Sequence, residues 1–316
     1  MISGYSAIFA TIVLWSGFFL SLRGGAISSL TPADMAMTRF LIPAIVLLPI
    51  TFYAREKILL VPKRYLIGMM IGGGLPYLLV AGWAMNYATV SDGSALVPGT
   101  LPLFVSAIAV LFFAQPLSSH RKIGIFLIVV GISIFIYSGF SSANNEAIQG
   151  YLLFLFGSLM WAIFTICARI ANLPSLVCAG IISLSSLAIL SLLLMIGLVE
   201  TSLFSVDGQF SWLGNIGNWP IKELIGHLLL QGVGAGLLAS FTYLKAISIL
   251  GAERTAAFGS LTPVVATLLA IFVFNETPGG MTWLALVSIC IGSIVASNVF
   301  LRQDSSLSYQ PPSHTK

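Results

Sequence analysis

Apolar residues run almost unbroken for about twenty positions at a time along this chain, and polar residues are confined to the gaps between runs. The runs fall near 1–22, 34–53, 65–87, 93–114, 123–138, 150–171, 174–199, 224–245, 254–274 and 280–301. As helices they reach across a hydrocarbon core of about 30 Å, whereas a transmembrane barrel would show weakly alternating segments of about ten residues. The pattern therefore predicts an all-α integral membrane protein with ten transmembrane helices. The first run lacks a basic leader and a small-residue cleavage motif, so it reads as a retained span rather than a signal peptide. Outside the spans lie short loops, a longer connection at 200–222 and a polar tail at 302–316, which is expected to be disordered and cytoplasmic. Composition agrees, because 58% hydrophobic residues, 8% charged residues and a mean hydropathy of +1.01 leave too little polar surface for a soluble globule.

The spans repeat. An offset of 161 places Asp92 on Glu253, Pro102 on Pro263, Phe113 on Phe274, Gln115 on Glu276 and Gly131 on Gly292. Nearer the start an offset of 146 places Trp15 on Trp161 and Arg23 on Arg169, and one of 158 places Gly68 on Gly226 and Gly74 on Gly232. Five spans separate the copies, an odd number, so the second copy must enter the bilayer from the opposite side. The expected fold is two inverted five-helix repeats, 1–138 and 150–301. Such an arrangement serves alternating access, with a solute site near the midplane where the halves meet.

With a cytoplasmic N-terminus, eleven of the fourteen Lys and Arg residues fall on the inner side, leaving Arg23, Arg39 and Lys222 outside. The C-terminus is then cytoplasmic too. The net charge of +4 reports this topology and not an affinity for nucleic acid. Cys167, Cys178 and Cys290 all lie within spans without metal-ligand spacing, as small core residues do. No metal or cofactor is expected.

Several motifs carry a family resemblance: Arg39-Phe40 early in the second span, Leu101-Pro102-Leu103-Phe104 followed by Phe113-Ala114-Gln115-Pro116-Leu117, and Leu261-Thr262-Pro263-Val264-Val265 followed by Phe274-Asn275-Glu276-Thr277. The pattern resembles the EamA branch of the drug/metabolite transporter superfamily over residues 4–300. That resemblance implies a ten-helix carrier of the bacterial inner membrane for small organic solutes, often an exporter of amino acids or related metabolites. Gln115 departs from it, since the family usually has glutamate there, as Glu276 does in the second copy.

Within the spans, Pro102 and Pro263 each remove an N–H and press on the carbonyl four residues back, so they are candidate hinges at bends beside the site. Thr100, Ser260 and Thr262 lie within a turn of those prolines and are candidates to satisfy freed carbonyls or to line a cavity. Glycines cluster in the third and eighth spans, where helices or the cavity are expected to come close. Trp15 and Trp161 sit at mid-depth, away from the interfacial belts, and either stack on a solute or fill the core. Tyr77 and Tyr243 are further candidate contacts with a hydroxyl to offer. His227 and Gln231 share a helix face, and Gln231 is the deeper candidate because an amide in hydrocarbon needs a partner.

All ten acids lie in loops or at span ends, so the buried carboxylate of a cation/proton antiporter is missing. The expected solute is neutral or zwitterionic, held by hydrogen bonds and aromatic faces and moved by export or exchange. Arg39 alone among the cations reaches inward, towards either a solute carboxylate or a structural partner near the rim. Signatures of an intramembrane enzyme are absent: no His-Glu-x-x-His, no Gly-x-Ser-x-Gly and no paired mid-membrane acids. A lipid-carrier flippase on the same scaffold remains the alternative. The expected partners are the solute and the bilayer, with the chain acting as a monomer or homodimer.

Overall fold

The computed structural model describes residues 1–141, 145–206, 209–210, 219–251, 255 and 258–297. In chain order the helices are α1 (Ile2–Ala26), α2 (Pro32–Tyr53), the short α3 (Arg55–Leu59), α4 (Lys63–Gly73), α5 (Leu75–Ala84), α6 (Val90–Phe113), α7 (Ser119–Ser141), α8 (Asn145–Ala171) and α9 (Ser175–Met195). After two-residue strands β1 (Ser205–Val206) and β2 (Gln209–Phe210), which pair antiparallel, come α10 (Ile221–His227), a π-helical segment (Leu228–Leu238), α11 (Ala239–Leu250), α12 (Thr262–Phe274) and α13 (Gly280–Ala296). Among the described residues eight helical stretches are long and apolar enough to cross a membrane, with α4–α5 and α10–α11 each counted as one, and the shorter apolar helices α12 and α13 follow. The chain is thus a multi-pass membrane protein. The polar tail and most of 252–257, with Glu253, lie outside the described residues.

Helix ends follow from local chemistry. Thr31 and Asp34 form a capping box at the start of α2, with Pro32 in the first turn, and Thr89 and Asp92 form another at the start of α6. α6 and α12 both stop at a left-handed residue, Ala114 (φ 49°) and Asn275 (φ 54°), which are 161 positions apart, the same offset that aligns their sequences. Asp34 has a second task. Its carboxylate also accepts from Thr201 Oγ1, Ser202 N (2.9 Å) and Ser202 Oγ (2.7 Å), tying the long connection to α2. Asp34→Ala leaves the buried Thr201 hydroxyl and the Ser202 donors without this acceptor, so thermal unfolding in detergent is expected to come several degrees earlier and proteolysis near residue 202 to rise. Unchanged values of both would show that the connection is held elsewhere.

Besides the π-helical segment in the eighth, two expected spans are interrupted, for identifiable reasons. The third breaks at Gly74, because Pro76 has no N–H and its ring presses on the turn before it. The break exposes the Leu75 N–H, which Ser186 Oγ of α9 accepts at 2.9 Å. The ninth begins anew at Thr262, with Pro263 in the first turn of α12. Pro263 therefore stands in the first turn of a new helix, just after the turn at Ser260 and Leu261 that interrupts the span, whereas Pro102 lies inside α6 together with Pro98.

In the assembled bundle α1 packs on α11 and α12, and α8 on α4, α5 and α6. α2 lies against α9 and the π-helical segment, and α7 lies along α13. The glycines of the third span meet α8: a Cβ on Gly72 would collide with the Met160 carbonyl and stand 2.7 Å from Phe164 N. Those of the π-helical segment meet α2, where a Cβ on Gly232 would stand 2.8 Å from the Thr38 carbonyl and one on Gly236 2.6 Å from Pro43. The core runs through the centre of the bundle with Leu75, Met85, Leu96, Phe135, Phe154, Leu190 and Leu286.

Candidate functional site

The aromatic residues singled out in the sequence come together in pairs. The Trp15 ring of α1 lies against Tyr243 of α11 with centroids 5.1 Å apart, and Trp161 of α8 lies against Tyr77 of α5 at 5.0 Å. Both are tilted contacts, the geometry that ring quadrupoles favour over a face-to-face stack. Each pair joins a tryptophan from the first helix of one sequence copy to a tyrosine from the third span of the other. Tyr77 is buried, while both tryptophans and Tyr243 keep part of their surface open. Trp15 also reaches the turn before α12, where a Cβ on Gly259 would touch its ring at 3.6 Å.

The hydroxyl candidates are committed to the helix seams. Thr262 Oγ1 donates to the Gly259 carbonyl at 2.7 Å, the group left free by Pro263, and Ser16 of α1 donates to the Thr262 carbonyl at 3.3 Å. Thr100 Oγ1 donates within α6 to Leu96 and across to Ser158 of α8, whose own hydroxyl donates to the Val97 carbonyl at 2.8 Å. Ser260 is buried in the turn before α12. These groups satisfy backbone in apolar surroundings, one of the alternatives the sequence left open.

His227 and Gln231 do share a face, and it is turned to α1. His227 Nδ1 and Ser21 Oγ share a hydrogen bond at 2.7 Å, and Gln231 Nε2 donates to the Phe18 carbonyl at 3.3 Å. Gln231 is fully buried, yet its Oε1 finds no donor among the described residues. Its backbone carbonyl accepts Arg39 Nη1 at 2.9 Å, and the Arg39 guanidinium lies 5.3 Å from the centroid of the Phe18 ring. Gln231 lies in the π-helical segment, a geometry that is common at functional sites.

The sequence did not reveal one contact, an ion pair at the end of the bundle where α1 finishes. Arg23 Nε lies 2.6 Å from Glu276 Oε1, in the stretch after α12. Arg23 also donates to the Met85 carbonyl at 2.8 Å, and Glu276 Oε2 accepts the Val90 N–H at 3.1 Å, the start of α6. Three chain segments are thereby pinned together. Beside them a cavity of about 60 Å³ between Leu22, Met35, Leu78 and Asn86 has room for a water or two and no solute. At the residues aligned with this pair the picture differs: Arg169 and Gln115 are both exposed, and Arg23–Glu276 is the only ion pair among the described residues. The repeat offsets align these four positions, but only the folded chain shows that Arg23 meets Glu276.

The EamA-like transporter family matches this chain twice, over residues 2–137 and 148–298. The uncharacterized inner membrane transporter YedA of Escherichia coli K12 is 29% identical over 289 residues, 89% of this chain and 86% of its own length. The S-adenosylmethionine uptake transporter of Rickettsia bellii is 25% identical over 251 residues, 79% of this chain and 78% of its own. A solved crystal structure at 20% identity superposes with a TM-score of 0.60, covering 95% of this chain and 99% of that chain, a likeness of fold. A multi-pass helical bundle, the family match along nearly its whole length and transporter relatives agree: this chain is a membrane transporter that belongs to the EamA-like transporter family.

Proposed function

We propose that this transporter carries a small neutral or zwitterionic organic solute, an amino acid or a compound of similar size, across the bacterial inner membrane as an exporter or exchanger. The movement is alternating access between two inverted five-helix repeats, 1–138 and 150–301, with both termini in the cytoplasm. The observation that carries this reading is the exchanged aromatic pairing, Trp15 with Tyr243 and Tyr77 with Trp161, which sets matched apolar faces on both seams between the copies. In this orientation the Arg23–Glu276 pair closes the outer end, and the exposed Gln115 and Arg169 mark the inner one.

Counterflow in proteoliposomes tests it, with a panel of amino acids, S-adenosylmethionine, nucleobases and cationic drugs. Saturable exchange of at least one amino acid or related zwitterion is expected. Exclusive movement of cations, or of a lipid-linked sugar in place of every soluble probe, would replace the reading. Trp15→Ala and Gln231→Ala are expected to lower counterflow by tenfold or more with normal insertion, since each removes a side chain from the seams between the copies. Full activity in both variants would remove the site from this part of the bundle.

A further inference from the structure

We propose that Arg39 is the anion-recognition group of the solute path, so that the transported compound carries a carboxylate which the Arg39 guanidinium holds between α1, α2, α5 and the π-helical segment. The inference rests on the carrier reading and narrows its substrate class. Arg39 is the eighth residue of α2, about 10 Å along the helix from its start and well inside the span. A cation within a span is costly, by about 3 kcal/mol at the helix centre on insertion scales, and is matched by an opposite charge or by backbone carbonyls, or marks a solute path. No carboxylate meets this one among the described residues. Among the described residues its partners are one carbonyl, Gln231 O, and one ring face, Phe18, which leave four of the five guanidinium donors of this half-buried side chain without a protein acceptor there. Tyr77, which carries the aromatic contact to Trp161, lies within electrostatic reach of the same group.

A second observation points to a ligand at the same place. Gln231 Oε1 is buried and lacks a donor among the described residues, and the rest of that residue is already held by the Arg39 and Phe18 contacts. The residue whose carbonyl receives the guanidinium thus also carries a free acceptor, and the two together suit a compound that has both an anionic oxygen pair and an N–H group, as a zwitterionic amino acid has. The glycines of the π-helical segment bring its backbone onto α2 around Arg39, with Gly232 at the Thr38 carbonyl and Gly236 at Pro43, so the guanidinium is anchored on a close helix contact. The planar fork also explains why arginine stands here: it grips a carboxylate with two parallel hydrogen bonds, which an ammonium cannot do.

The test compares acids with their carboxamides. Purified full-length protein is titrated with L-phenylalanine, L-methionine, phenylacetate and the carboxamide of each, reading thermal stabilisation in detergent beside counterflow in proteoliposomes. For at least one pair the acid is expected to bind about 20- to 100-fold more tightly than the amide, the range of a charge-assisted bidentate contact. Arg39→Gln is expected to erase that preference and Arg39→Lys to retain only part of it. Equal binding of acids and amides, no binding of any acid, or an undiminished preference in Arg39→Gln would overturn the proposal. Should Arg39→Gln fail to insert, the wild-type comparison and Arg39→Lys decide. Acid-selective binding without counterflow would strike the carrier reading alone, and counterflow without acid preference would strike the Arg39 assignment alone.

Discussion

Glu276→Lys is expected to hold the transporter open at the end that carries Arg23 and to reduce counterflow by tenfold or more. In the structure that carboxylate takes Arg23 Nε at 2.6 Å and the Val90 N–H at 3.1 Å, with side-chain exposures of 22% for Arg23 and 13% for Glu276. A pair so shielded and anchored to a helix N-terminus contributes about 1–3 kcal/mol to the closed form, a factor of about 5–150 in its population. Lysine replaces the attraction with repulsion from Arg23 and with an unfavourable cation at the start of α6. Gly24→Cys reports the change, because a side chain there, one residue from Arg23, meets only the His227 ring at 3.3 Å and Phe274 at 3.9 Å. An impermeant maleimide supplied from the Arg23 side should label that cysteine at least tenfold faster in Glu276→Lys. Exchanging the charges, Arg23→Glu with Glu276→Arg, should restore slow labelling. Equal labelling in all three backgrounds would show that the pair does not gate. Gln115→Glu gives Arg169 the anionic neighbour it now lacks at the aligned position, and slower opening at that end is the expected outcome.

The other large effect concerns assembly. Gly124→Leu is expected to abolish the α7–α13 seam and with it most of the properly inserted protein. A Cβ at Gly124 would overlap Ala296 N and stand 2.5 Å from the Gly292 carbonyl, and one at Gly292 would stand 2.7 Å from the Gly124 carbonyl and 2.8 Å from Ile128 N. These neighbours are backbone, which cannot rotate away, so the helices must separate and lose the dispersion contacts that hold helices together in lipid. The cost is about 3 kcal/mol or more, at the upper end of overpacking effects. Gly82→Leu supplies the control, since nothing lies within 4 Å of a Cβ there. Yield and thermal unfolding in detergent should separate the two variants sharply. Equal behaviour would mean that α7 and α13 do not need close approach.

What was legible in advance followed from two simple periodicities. Twenty-residue apolar runs announced the spans because lipid leaves the backbone no partner but itself, and the long-range offset announced matched positions such as Ala114 and Asn275, which do adopt the same left-handed cap. The break at Gly74 was harder to see, since it depends on Ser186, more than a hundred residues away, accepting the Leu75 N–H. At Pro263 the compensating contact is local, since the Thr262 hydroxyl takes the Gly259 carbonyl three residues back.

The candidate site was legible as residue types and not as pairs. Trp15, Tyr77, Trp161 and Tyr243 stood out because aromatic rings are unusual at mid-depth, but which ring faces which depends on the helices of one copy crossing to the other. Sequence alone determined that this protein lives in a bilayer, how its spans are spaced and that its second half repeats its first, because these depend on hydrophobic length and on the order of residues along the chain. Tertiary structure decided that Arg23 meets Glu276, that Arg39 lies against Phe18 without a carboxylate, and that Gln231 keeps an unused acceptor, because a charge or an amide acquires its role from whatever distant helix is brought within about 3 Å of it.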